Sequence, residues 1–175
     1  MRERSDKEKI LSFIRALGRR ADREARVYFT GGATAVLIGW RHTTIDVDVK
    51  IVPESDHLLR AIPEFKESLK INVELAAPDD FIPPLEGWQD RSQFIVREET
   101  LSFYHYDFYA QALAKIERWH PLDLEDVKEF FKRDLIQAKK LLEHYNQIEP
   151  LLYRYPSIDA RSFRSKVEEF VNKQF

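Results

Sequence analysis

The segment Thr43–Val52, TTIDVDVKIV, constrains the fold more than any other stretch of the chain. Its residues alternate with period two: Thr44, Asp46, Asp48 and Lys50 fall on one side and Ile45, Val47, Val49 and Ile51 on the other. Strict alternation at this period reads as a half-buried β-strand, because successive side chains of a strand point to opposite faces. The polar side is unusual, since Asp is a poor strand residue and two aspartates two positions apart emerge about 6.6 Å from each other on one face. Like charges so placed repel, and a hard divalent cation with oxygen ligands, Mg²⁺ or Mn²⁺, is the natural compensation. An ordinary solvated strand face is the alternative.

The preceding residues sharpen this. Arg26–Thr30 is a short β-prone run that stops at Gly31-Gly32, after which Ala33–Ile38 is small and apolar and ends at Gly39. Strand, glycine turn and short buried helix follow. Such a turn directs backbone N–H groups and a positive helix end toward an anion, and a side chain at either glycine would block close approach of a phosphate. Thr34 can add a hydroxyl. A plain tight turn explains the glycines equally simply. Taken with Asp46 and Asp48, the pattern is a phosphate cradle beside a metal-binding pair, the equipment for displacing pyrophosphate from a nucleoside triphosphate.

The remaining elements are read coarsely. Positions 5–21 form an amphipathic helix with Ser5 as its cap and Glu8 completing a capping box, and Ile10, Leu11, Ile14 and Leu17 recur at helical spacing. A helical stretch over 54–69 breaks near Pro63. Ile71–Ala77 is a third strand, and 93–98 with 101–106 make a hairpin across Glu99-Thr100. Helices are expected near 107–119, 122–132, 134–148 and 160–173. Strands first and helices last indicate an α+β fold: residues 1–130 as the main domain with its N-terminal helix, and 131–175 as a helical C-terminal extension.

Composition excludes several classes. The 175 residues contain no cysteine, which removes disulfide scaffolds, thiolate metal sites and thiol nucleophiles. Twenty-eight basic against 30 acidic residues leave a net charge of −2, which argues against broad coating of nucleic acid, and no DNA partner is expected. The N-terminus MRERSDKEK lacks a signal peptide's apolar stretch, and the longest uncharged run, Val27–Trp40, is too short to span a bilayer, so a cytoplasmic protein without a membrane partner is expected. The five histidines show no metal-ligand spacing, and P-loop, GxGxxG and GxSxG motifs are missing.

The run YFTGGATAVLIGWRHTTIDVDVKI resembles the start of the polymerase-beta-type nucleotidyltransferase superfamily, in which a Gly-Gly or Gly-Ser turn precedes an acidic pair on a strand. It is most similar to minimal and AbiEii-type bacterial and archaeal members, and INVELAAPDDFIPPLEGW and ALAKIERWHPLDLEDV extend the likeness over about residues 27–130. The resemblance implies a nucleotidyltransferase fold, a mixed sheet with packed helices. It also implies a third carboxylate on a neighbouring strand. Glu74 takes that position, with Asn72 on the same strand face, where an aspartate is commoner. Asp46, Asp48 and Glu74 would then be catalytic and metal-binding, and Gly31, Gly32, Thr34, Arg41 and Lys115 would bind the nucleotide. Lys115 is followed by an acidic position, Asp123 or Asp126, as in AbiEii-like chains. Arg91 and Arg118 are further candidates for phosphate contact, and Asp79 and Asp80 are fallback carboxylates.

The implied activity is Mg-dependent transfer of a nucleoside monophosphate from a triphosphate such as ATP to a hydroxyl of a protein, RNA or small-molecule acceptor. The competing expectation is a catalytically silent nucleotide-binding module of a toxin–antitoxin-type pair, whose tail, with Leu135, Leu141, Leu142, Leu151 and Leu152, offers apolar surface to a protein partner.

Overall fold

A computed structural model describes residues 3–173. The chain divides into two compact units, one made of residues up to Ala77 with Ser92–Tyr106, the other of Pro78–Arg91 with the residues from Asp107 onward. The expected boundary at residue 130 instead falls inside a helix of the second unit.

The first unit contains a five-stranded mixed sheet. Its strands are β2 (Ala25–Thr30), β4 (Asp46–Val52), β5 (Asn72–Leu75), β6 (Gln93–Glu98) and β7 (Leu101–His105), in the order β5-β4-β2-β7-β6. The pairings of β2 with β4 and of β6 with β7 are antiparallel, and those of β4 with β5 and of β2 with β7 are parallel. β1 (Ser5–Asp6) and β3 (Thr43–Thr44) form a separate two-stranded ladder. Three helices belong to this unit: α1 (Lys7–Arg20), α2 (Gly32–Ile38) and α3 (Asp56–Leu69). They bury their apolar stripes with one face of the sheet, so that Ile10, Phe13, Ile14 and Leu17 of α1 join Val27, Phe29, Val47, Val49 and Phe103 in one core. Phe13 meets the rings of Phe29 and Phe65 edge-on at 6.4 and 6.1 Å.

The alternation predicted for 43–52 holds from Asp46 onward, where Val47, Val49 and Ile51 are buried and Asp46, Asp48 and Lys50 are half-buried. It fails at Ile45, which is 40% exposed. The strand is interrupted there, and the Thr44 hydroxyl donates to the Asp46 carbonyl across the break (3.0 Å). Two other expectations are corrected. The cap of α1 is Asp6, whose carboxylate accepts from the Lys9 amide at 2.9 Å, while Ser5 is fully buried and pairs with Thr44. α3 runs unbroken through Pro63, because Leu58, Ala61, Ile62 and Phe65 on both sides of the proline are buried together and packing outweighs the lost backbone bond. The hairpin forms as expected, with Glu99 supplying the left-handed residue at φ 53°.

The second unit is helical: α4 (Trp88–Arg91), α5 (Phe108–Arg118), α6 (Pro121–Lys132), α7 (Ala138–Ile148) and α8 (Ala160–Asn172), with 3₁₀ turns at Pro78–Asp80 and Glu149–Arg154. Tyr145 and Phe163 pack edge to face at 4.9 Å between α7 and α8. Leu141 and Leu152, counted above as surface for a partner, are buried, which removes much of that apolar face. Among the described residues, no helix is long and apolar enough to cross a membrane.

Candidate functional site

The candidate site lies at the end of the sheet where β2 stops and β4 and β5 begin. Register brings its carboxylates together. Asp48 stands opposite Thr30 of β2 on one side and Glu74 of β5 on the other, and Asp46 stands opposite Asn72. Three acids that are 26 or more positions apart in pairs across strands thus become neighbours in two adjoining rows. Asn72 joins the rows: its amide donates to the Asp46 carboxylate at 2.5 Å and to Glu74 Oε1 at 3.3 Å. A neutral double donor between two carboxylates holds both side chains in place without adding charge.

Directly after Thr30 the chain turns at Gly31, whose φ of 62° is a region that side chains rarely occupy. A Cβ there would also lie 3.1 Å from Asp48 Oδ2, so the carboxylate leans over the bare turn. Gly32 is glycine for a different reason from the phosphate approach expected of it. Its absent Cβ would fall 2.0 Å from Thr44 Oγ1, so Thr44 occupies the space a side chain would need. The Arg41 guanidinium closes the other side, with Nη1 3.2 Å from the same point. Gly31, Gly32, Arg41, Asp46, Asp48 and Glu74 therefore all belong to the first unit and gather around one turn.

Thr34 is placed elsewhere. It is fully buried, and its hydroxyl pairs with His105 Nδ1 at 3.0 Å and reaches the Phe29 carbonyl at 3.4 Å. It ties α2 to the ends of β2 and β7 from inside the core. Burial pushes the His105 imidazole down to about 4, so it is neutral near pH 7. Sequence reasoning missed this pair, although Leu101, Phe103 and His105 alternate onto the buried face and mark the histidine as interior.

Lys115 sits on α5 in the second unit, 4% exposed, and donates to Asp126 at 2.8 Å and Asp123 at 3.2 Å. Both acidic residues expected to accompany it are its partners. Arg118 donates to Asp123 at 2.9 Å and lies over the Phe81 ring. Arg91 is likewise engaged, bonding the buried Asp107 carboxylate at 2.8 and 3.1 Å and the Glu86 carbonyl at 2.8 Å. Asp79 and Asp80 belong to the 3₁₀ turn of this unit.

Among the described residues, no three His, Cys, Asp or Glu side chains converge closely enough to enclose an ion by themselves. The donor set on β4 fits a different arrangement. Mg²⁺ commonly takes one or two protein carboxylates and completes its octahedron with water and substrate phosphates, and Asp46 and Asp48 beside an uncluttered glycine turn suit that division.

A family model described as "Nucleotidyltransferase of unknown function (DUF6036)" matches residues 8–174. The chain belongs to this family. Comparison with the curated proteins and with the solved structures gives no match. The α+β architecture, a mixed sheet with packed helices, is consistent with a nucleotidyltransferase fold. The match covers helices of both units, so membership in the DUF6036 family is a property of nearly the whole chain and not of the glycine turn and acidic strand alone.

Proposed function

We propose that the chain transfers a nucleoside monophosphate from a nucleoside triphosphate to a hydroxyl of a protein, RNA or small-molecule acceptor and releases pyrophosphate. The observation that carries this is the cross-strand register that sets Asp46 and Asp48 beside Glu74, next to the Gly31 turn. Asp46 and Asp48, with Glu74 as a third oxygen donor, would hold Mg²⁺ or Mn²⁺, which when bound neutralises charge on the phosphates. Gly31 leaves room for the phosphates at the turn that Gly32 continues into α2, and Arg41 adds a cation there. Asn72 keeps Asp46 and Glu74 oriented. The acceptor oxygen attacks the α-phosphorus in line, the bond to the β-phosphate oxygen breaks, and pyrophosphate departs with that electron pair. Glu74 accepts the hydroxyl proton. Thr34 acts from the core by fixing α2, and Lys115 acts within the second unit by ordering α5 against α6.

The test uses α-labelled triphosphates with Mg²⁺ and mass analysis of candidate acceptors. Asp46→Asn and Asp48→Asn should each abolish labelling while leaving the circular-dichroism spectrum unchanged. Full labelling by both variants would refute the proposal. The competing reading is a silent nucleotide-binding module. Metal-dependent triphosphate binding without transfer to any acceptor would favour it. Kinship with AbiEii-type proteins and a toxin–antitoxin role belong to the same proposal, and a partner gene adjacent to this one would support them.

A further inference from the structure

The break in the acidic strand at Ile45 leaves a β-branched apolar side chain 40% exposed where a continuous strand would bury it. Departures of this kind from a chain's own hydrophobic pattern concentrate at functional sites. The break changes the placement of Thr44. Instead of continuing β4, Thr44 joins the two-stranded ladder, where Ser5 of β1 stands opposite it. Both residues of that pair are buried.

From there one side chain reaches both halves of the candidate site. The Thr44 hydroxyl donates to the Asp46 carbonyl at 3.0 Å, and the same Oγ1 rests against the bare Cα of Gly32, 2.0 Å from where a Cβ would stand. Arg41 Nη1 lies 3.2 Å from that point. Asp48 leans in the same way over Gly31, with Oδ2 3.1 Å from the absent Cβ. Thr44 and Asp48 thus flank Asp46 in the chain and meet one glycine each. Asp46 is itself held at two places, its carboxylate by the Asn72 amide and its carbonyl by Thr44. A donor that also fills a packing space fixes distance as well as direction: the hydroxyl sets where Asp46 starts, and the Thr44 Cβ sets how close α2 can come.

We infer that Thr44 is a positioning residue of this site: it sets the spacing between the glycine turn and the acidic strand, acting through Gly32 and Asp46 without touching metal or triphosphate. The inference rests on the proposed transfer reaction and says what keeps its two halves in register. Carboxylates already held in place bind an ion and its phosphates better than mobile ones, because less order is lost on binding.

Binding of Mn²⁺ together with nonhydrolysable triphosphates of the four common bases, followed by calorimetry on the full chain, tests this without turnover. Thr44→Val keeps the shape beside Gly32 and removes the donor to Asp46; it should weaken the tightest of these complexes about five- to tenfold, the loss of one hydrogen bond. Thr44→Ser keeps the donor and should bind within about twofold of the parent. Thr44→Ala against Thr44→Ser makes the same comparison with the methyl missing from both, and decides the matter if the valine variant does not fold. Ile51→Val, a truncation of a buried side chain in β4, should lower the urea midpoint and leave binding unchanged. Parental affinity in Thr44→Val, or equal affinity in Thr44→Ala and Thr44→Ser, would overturn the positioning role. So would a loss in Ile51→Val as large as that in Thr44→Val, since binding would then follow stability alone. A parent chain that binds none of the complexes refutes the transfer reaction and the positioning role with it, whereas a parent that binds one no better than Thr44→Val does refutes the positioning role alone.

Discussion

Gly32→Ala adds one methyl group to the chain, and its position is defined on every side. The new carbon would lie 2.0 Å from Thr44 Oγ1, 2.8 Å from Thr44 Cβ and 3.2 Å from Arg41 Nη1. Rotating the Thr44 side chain can remove the first contact but not the second, because Cβ does not move with χ1. Thr44 is itself 7% exposed, paired with Ser5 and bonded to the Asp46 carbonyl, so relief requires displacing β3 or α2. Overpacking of this kind costs about 1–3 kcal/mol, and alanine's better helix propensity returns at most about 1 kcal/mol. A net loss of about 1–2 kcal/mol is expected, or about 2–8 °C in melting temperature for a chain of this size. Thr44→Gly removes both clashing atoms, so the double variant should be more stable than the two single losses sum to, with a coupling of about 1 kcal/mol or more. Urea unfolding of the four chains measures it. A Gly32→Ala chain within about 0.5 kcal/mol of the parent, or strict additivity with Thr44→Gly, would refute the packing account.

Protonation of His105 should be visible in the pH dependence of stability. Its folded value of about 4 lies below the ordinary 6.5, so between these values the unfolded chain binds more protons; stability is complete above 6.5 and falls as the pH drops toward 4, by on the order of 3 kcal/mol. Subtracting the profile of His105→Gln from that of the parent should isolate this slope, and parallel profiles would contradict it. Lys115→Met leaves Asp123 and Asp126 without their shared ammonium in a buried setting and should cost about 3–5 kcal/mol in urea unfolding. An unchanged midpoint would mean that the lysine has no structural role.

The legible parts of the fold were those with a local cause. β4 announces itself by alternation, the Gly31 turn by glycine after an apolar strand, and the helices by apolar spacing and caps. What the sequence does not display is pairing between distant segments. Nothing local says that Glu74 stands opposite Asp48, or that the small space beside Gly32 is filled by Thr44, because both depend on register set by the whole core. Competing local signals also misled: Ser5 and Asp6 are both good caps, and burial of Ser5 in the small ladder gives the cap to Asp6. Pro63 breaks isolated helices, yet the apolar stripe of α3 carries across it. The membership of 78–91 and 107 onward in one unit has no compositional mark.

That partition bears on how the chain can be made. The polypeptide leaves the first unit after Ala77, returns to it for Ser92–Tyr106 and leaves again. β2 lies in the middle of the sheet, and its parallel neighbour β7 is synthesised about 76 positions later, as Ala25 pairs with Leu101. On the ribosome, one edge of β2 stays unpaired until residue 105 has emerged, and the pairing then closes a long loop against chain entropy. No single cut yields either unit as a contiguous fragment. Nascent chains halted before β7 should therefore remain protease-sensitive at β2, and their exposed edge is where a chaperone or a second nascent chain would bind first.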